Sequence, residues 1–178
     1  IRKKYTELFP NVEAFQHTTN QSDIFEYHSE PINAKNVPEN LKGLRTMFLS
    51  FHHFQPKNAI MILQNAINSN QPIAVLEIQD RSLPSIVAML LSPVSVLFTT
   101  PFIRPFRWSR LFFTYLIPIV PFVVLWDGIV SALRTYTVEE MRNLINSLEN
   151  NTAFEWNFNK KKSKTGFVIY TIGIPKKQ

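Results

Sequence analysis

An α/β fold, built on a mostly parallel sheet closed by an antiparallel last strand, is what this sequence predicts, and three observations predict it. From Ile1 to about Ile78, short apolar runs alternate with stretches of helical spacing, the rhythm of strand, crossover helix and parallel strand. Residues 73–78 (IAVLEI) are nearly all apolar, as a strand covered on both faces is. Near the end, Phe154, Trp156 and Phe158 alternate along 153–159, and 167–174 returns after the turn Lys162-Ser163-Lys164-Thr165-Gly166, which reads as a hairpin. With 178 residues, 45% of them hydrophobic, the chain has material for one sizeable core rather than two. A single domain over 1–178 is therefore expected.

The elements follow in order. The chain opens at Ile1 rather than Met, on residues that read as the end of a strand, so a piece of a longer polypeptide is expected. Residues 24–28 make a short strand, and 44–50 (LRTMFLS) a better one after the loop Asn36-Val37-Pro38-Glu39-Asn40. Pro56 stands where a helix starts, and Ala59, Ile60, Ile62, Leu63, Ala66 and Ile67 recur at helical spacing until Pro72 breaks the pattern. Thr137 followed by Glu140 is a capping box, opening a helix to about Leu148 with Met141, Leu144, Ile145 and Leu148 on its buried face.

Between them lies a segment of different character. Residues 83–103 and 111–126 hold no charge, and Arg104, Arg107 and Arg110 separate them. The first stretch has the roughly 20 residues that crossing a bilayer needs. Six of the twelve prolines fall between Pro84 and Pro121, which argues against two straight spanning helices. Three readings of this apolar helical insertion, 83–126, stand side by side. It is buried or forms a homodimer, it lies in the plane of a membrane surface with its arginines at the headgroups, or it spans as a pair.

Composition removes several function classes. The balance of 19 Lys+Arg against 13 Asp+Glu is +6, but the excess is local: Arg2, Lys3 and Lys4, then Lys160, Lys161, Lys162 and Lys164, then Lys176 and Lys177. No aromatic residues interleave with these lysines, so they read as solvated ends and a hairpin tip, and no nucleic acid is expected as a partner. Absence of cysteine excludes disulfides, thiolate zinc sites and cysteine nucleophiles. His52 and His53 are adjacent; in an extended segment they point to opposite sides, so no metal is expected on them. There is no Ser elbow between glycines, no Walker loop and no helical His pair with an intervening Glu. Nothing suggests secretion, and the expected compartment is the cytoplasm, at a membrane if the insertion meets lipid.

Four segments together resemble the class I S-adenosylmethionine-dependent methyltransferase family. Thr6-Glu7-Leu8-Phe9-Pro10-Asn11 is similar to the end of the family's second strand, with Glu7 where an acidic residue receives the two ribose hydroxyls. Pro31-Ile32-Asn33-Ala34 follows the third strand, with Asn33 in place of the family's common Asp at the adenine amino group. Ser50-Phe51-His52-His53-Phe54, then Pro56, resembles the segment after strand four, beside the methionine part of the cofactor. Residues 134–141 (RTYTVEEM) look like the family's late helix start.

The resemblance covers about 5–78 and 127–173. It implies a Rossmann-like sheet, N-terminally incomplete because the first strand with its Gly-rich turn is missing. It also implies S-adenosylmethionine as cofactor of the intact domain, held by Glu7, Leu8, Asn33, Ala34, Ser50 and Phe51. The substrate would be a small molecule or lipid-like, with the insertion over its side of the site. A second reading keeps the fold without catalysis, as a membrane-associated or oligomerising module that uses the insertion as its interface.

Individual residues carry alternatives of their own. His52 or His53 either faces the cofactor cleft as a base or positioning group, or is a hydrogen-bonded structural histidine. Glu77, near the end of 73–78, lies where ligands bind in open α/β sheets. Otherwise it is a half-buried carboxylate paired with Arg81 or a backbone amide. Asp127, Ser131 and Arg134 recur on one helix face, either to recognise a substrate head group or to anchor the insertion. Tyr136, just beyond, is placed on the substrate side with them.

Overall fold

The computed structural model describes residues 3–163 and 166–177. Ile1, Arg2, Lys164 and Thr165, which the sequence places in a strand end and a hairpin turn, lie outside the described residues.

Among those described, the chain is an α/β structure with two mixed-in-sequence sheets. β1 (Lys3–Tyr5) and β2 (Phe25–Tyr27) pair in parallel across α1 (Val12–Thr19). β3 (Arg45–Phe48), α2 (Pro56–Asn68) and β4 (Ile73–Glu77) follow, and β3 and β4 also pair in parallel. After the insertion come α7 (Val138–Asn146), β5 (Phe154–Ser163) and β6 (Gly166–Pro175). The larger sheet has the order β3-β4-β6-β5. The last strand, β6, is antiparallel as expected, but it pairs with both β4 and β5, so only the β3–β4 pairing of this sheet is parallel. The cause is that the returning strand inserts between its neighbours instead of joining an edge. It follows that β3, β4 and β5 still point one way and β6 alone opposes them.

Local chemistry accounts for the helices. Pro56 begins α2, where a missing N–H is harmless. The Thr137 hydroxyl accepts from the Glu140 amide at 3.1 Å while the Glu140 carboxylate accepts from the Thr137 amide at 2.9 Å, so the expected capping box is present. α1 was not foreseen, although its signal exists: Asn11 Oδ1 accepts from the Ala14 amide at 3.1 Å, with Glu13 in the first turn. α2 and α7 cover one face of the larger sheet, packing Ile62, Leu63, Ala66, Met141 and Leu144 against Ile73, Val75 and Phe154. Arg45 ties β3 to α2 through Asn65 and Ser69, at 2.7 and 2.8 Å. Phe48 and Leu44, near the end and start of β3, remain exposed.

Gly173 faces Trp156 across the β5–β6 pair, and a Cβ there would approach the indole to 2.5 Å. Gly173→Ala is expected to cost about 1–3 kcal/mol through overpacking. A lower urea midpoint with an unchanged slope would show it.

The insertion is helical but broken. It comprises α3 (Leu83–Leu90), α4 (Ser92–Thr99), α5 (Trp108–Leu111), a π-helical turn over Phe112–Leu116, and α6 (Ile119–Arg134). Pro84 and Pro93 sit in the first turns of α3 and α4, and Pro118 caps α6, so the prolines start short helices rather than kink long ones. No single helix among the described residues is long and apolar enough to cross a membrane; two pairs would be long enough together but are bent by 40° and 77°. α3 and α4 pack against α6, closely at Gly128, where a Cβ would lie 2.8 Å from Met89 Sδ. α6 continues past Trp126, where the apolar run ends. Its second half buries Gly128, Ser131 and Ala132.

Candidate functional site

Parallel strands bring their carboxyl ends together, and two such ends carry most of the residues singled out above. Beyond β1 and β2, Tyr5 accepts from the His28 amide at 2.9 Å and the Glu7 carbonyl accepts from the Ile32 amide at 2.8 Å. Glu7 therefore runs alongside 31–34. Glu7 and Leu8 are exposed, and no ion pair or side-chain hydrogen bond engages the Glu7 carboxylate among the described residues. Asn33 Oδ1 accepts from the Lys35 amide at 3.0 Å, closing a tight turn, and Ala34 packs against the core.

Beyond β3 the chain turns sharply. The Leu49 amide donates to the Leu76 carbonyl at 3.0 Å, and Leu49 then adopts φ 50°, a left-handed backbone that costs a side-chain-bearing residue about 1–2 kcal/mol. Ser50 leads into a 3-10 turn over Phe51–His53. This corrects the extended segment expected for the two histidines. In the turn their rings come together, with centroids 4.2 Å apart, instead of pointing to opposite sides. No group of three or more His, Asp or Glu gathers into a metal-binding cluster among the described residues.

Glu77 organises this turn. It is 4% exposed, and its Oε1 accepts from the amides of Phe51 and His52 at 2.8 and 3.2 Å, while Oε2 lies 2.9 Å from His52 Nδ1. An ionised carboxylate only accepts, so Nδ1 carries the proton and the tautomer of His52 is set. In the neutral ring Nε2 then keeps the lone pair, and it has no hydrogen-bond partner among the described residues. Of the two partners expected for Glu77, the backbone amide is present and Arg81 is not. Arg81 bonds the Leu133 carbonyl at 2.7 Å and Glu140 at 2.8 Å instead.

Phe51 and Tyr136 support the turn from beneath, with ring centroids 5.6 Å apart, and the Tyr136 hydroxyl donates to the Phe54 carbonyl at 2.7 Å. Burial pushes the Tyr136 phenol above its ordinary pKa, and Glu140 nearby adds to the rise. Burial alone would raise Glu140 too, but the Thr137 amide and Arg81 together outweigh it and hold this carboxyl below the usual range. The structure thus brings Phe51, His52, His53, Glu77 and Tyr136 into one neighbourhood. Asp127 and Arg134 are exposed on α6, with only Ser131 of their stripe buried, and no hydrogen bond or ion pair joins their side chains to that cluster among the described residues.

Asp80 is a further polar residue at the carboxyl end of β4 that was missed. It is buried, its Oδ1 accepts from the Ser82 amide at 3.1 Å and from the Ser82 hydroxyl, and Lys160 of β5 pairs with it. Burial works to raise its pKa, and the bonds from Lys160 and Ser82 together overcome that and lower it. The signal available was Asp80-Arg81-Ser82 itself, an Asx turn opening α3. A cavity of about 270 Å³ lies beside Pro56, Tyr136, Glu140, Asn143 and Leu144. Another, of about 560 Å³, lies by the starts of β4 and β5, at the opposite end of the sheet, and is lined by Ile67, Asn68, Asn150, Thr152 and Ala153.

In chemical terms the cluster presents one oriented imidazole and, on the neighbouring strand pair, one unencumbered carboxylate. Compared with protein-family models the chain matches none, and compared with curated proteins it matches none.

Proposed function

We propose that the intact protein transfers a methyl group from S-adenosylmethionine to a small or lipophilic acceptor. The observation that carries this reading is the strand order. One parallel strand inserted between β1 and β3 would join the two sheets as β2-β1-x-β3-β4, which in chain order is 3-2-1-4-5, the doubly wound arrangement that binds nucleotides at its switch point. The crossover helix that follows such a strand would cover the sheet face on which Phe48, opposite to core-packed Met47, is 63% exposed.

The residues present fit the cofactor. Glu7 offers two acceptor oxygens to a vicinal diol at a strand carboxyl end, and the Asn33 turn lies beside it, joined through the Glu7–Ile32 hydrogen bond. Leu8 and Ala34 flank this end. Ser50 and Phe51 open the turn that follows β3, on the methyl-donor side, where strained Leu49 aims the chain. When bound, S-adenosylmethionine supplies an electrophilic sulfonium methyl. The chain's own work is then largely orientation. Glu77 fixes the His52 ring, which keeps Nε2 as the lone pair facing away from the carboxylate and able to take a proton from the acceptor. Asp127 and Arg134, exposed on α6, are assigned to the acceptor side, and Tyr136 acts there through the turn whose Phe54 carbonyl it holds.

None of the glycines, at 43, 128, 166 and 173, forms a turn at the end of a parallel strand that could cradle the cofactor's amino-acid moiety. Cofactor binding therefore belongs to the protein with its first strand in place. In that protein, isothermal titration is expected to give micromolar binding of S-adenosylmethionine. Glu7→Ala, which removes two charge-assisted hydrogen bonds, is expected to weaken it by about 10- to 100-fold. An intact protein that binds none of this cofactor overturns the reading.

A further inference from the structure

We propose that the helical insertion docks in the plane of an anionic lipid leaflet, with Arg104 and Arg107 taking the lipid phosphates. The pattern of burial within it is inverted. The buried side chains of 83–126 are Thr100, Thr114 and Pro121, whereas Leu83, Phe98, Phe102, Trp108, Leu116 and Trp126 are each more than 70% exposed. The Thr100 hydroxyl donates to the Val96 carbonyl at 2.7 Å, whereas the buried Thr114 hydroxyl has no hydrogen-bond partner among the described residues. α3, α4 and α5 bury no side chain of their own. A water-facing insertion would show the opposite arrangement, and apolar exposure on this scale marks a surface that something apolar covers.

Charge selects what covers it. The 44 residues from Leu83 to Trp126 contain three arginines and no other charged residue. Arg110 is spent on the fold, donating to the carbonyls of Ile103 and Pro105 at 3.0 and 3.3 Å. Arg104 and Arg107 are exposed, and their guanidinium groups make no ion pair or hydrogen bond among the described residues. They alternate with Phe106 and Trp108, whose rings meet edge to face at 5.2 Å, so guanidinium groups and aromatic rings share one tip. Aromatic residues that sit at headgroup level, interleaved with arginine forks that match phosphate oxygens, are the chemistry of a bilayer interface. A second copy of the chain suits the segment poorly, because a two-fold contact through the tip would gather arginines from both copies with no acidic residue of the segment to meet them.

The docking is assigned to one leaflet: α3 and α4 have 8 residues each, about 12 Å of helix against a hydrocarbon core of about 30 Å, and no single helix among the described residues is long and apolar enough to cross. α6 leads from the cap, where Phe122 and Trp126 are exposed, into the domain, where Ser131 and Ala132 are buried. It would hold the strand carboxyl ends close to the lipid surface.

The test is flotation of the full chain with vesicles of phosphatidylcholine alone and of phosphatidylcholine with phosphatidylglycerol. Binding is expected on the anionic vesicles, falling with added salt. The double variant Arg104→Gln/Arg107→Gln, at exposed side chains without partners among the described residues, is expected to partition about 30-fold more weakly. A blue shift of tryptophan emission on binding would report Trp108 and Trp126 entering the interface. The proposal is overturned by absence of flotation on the anionic vesicles, by equal flotation of the double variant, or by a stable dimer in solution that leaves the vesicles unbound. None of these outcomes depends on cofactor binding, so the cofactor reading stands or falls separately.

Discussion

Glu77→Ala is expected to lower the free energy of unfolding by about 2–4 kcal/mol, the cost of taking a charged acceptor away from several buried donors. The carboxylate meets three donors, the Phe51 amide, the His52 amide and His52 Nδ1, at 2.8, 3.2 and 2.9 Å. Deleting it leaves all three where water has little access, since His52 is 5% exposed and Phe51 fully buried. Each unsatisfied group carries a desolvation cost of about 1–3 kcal/mol, and relaxation of the turn recovers part of the sum. Glu77→Gln should lose less, because one oxygen remains for the amides while the new NH₂ group confronts a donor. Urea unfolding of Glu77→Ala, His52→Ala and the double variant measures the pairing directly, with a coupling of about 1–3 kcal/mol expected. A Glu77→Ala protein within about 1 kcal/mol of the parent would show that the turn after β3 is held by something else.

What the sequence made legible here was local, and what it concealed was distant. Pro56, the Thr137 and Glu140 box and the alternation of Phe154, Trp156 and Phe158 each act over a few residues, and the corresponding helices and hairpin are present. The need of Glu77 for a partner was legible from burial alone. Which partner it takes was not, because the bonded amides lie 25 and 26 residues away while Arg81, four residues on, turns to Glu140. The histidines were misplaced for the same reason: an extended run becomes a 3-10 turn once Leu49 goes left-handed and Glu77 captures the following amides. The position of β6 between β4 and β5 is likewise a long-range choice, invisible to the alternation that revealed the strands. Composition exposed the insertion as apolar, yet only the fold shows that Thr100 and Thr114 lie inside while Phe98, Phe102, Trp108 and Trp126 lie outside.

Phe51→Ala is expected to destabilise the protein by about 3–5 kcal/mol, the cost of emptying a fully buried aromatic site. For a chain of this size that corresponds to a fall in Tm on the order of 10 °C. The ring is 0% exposed and lies 5.6 Å from Tyr136 and 6.5 Å from Phe54, centroid to centroid, within the core that α2 and α7 form on the sheet. Its backbone amide is at the same time the shortest bond to Glu77. One residue thus joins the apolar core below to the carboxylate–imidazole pair above, so the variant should loosen both together. Phe51→Leu, which keeps most of the volume, should retain the pair at a cost of about 1–2 kcal/mol. The two variants separate packing from positioning through the His52 ring proton shifts. If Phe51→Ala moves those shifts while Phe51→Leu leaves them in place, the core is what aims His52. If both leave them unchanged, Glu77 suffices to orient the ring, and the aromatic floor contributes stability alone.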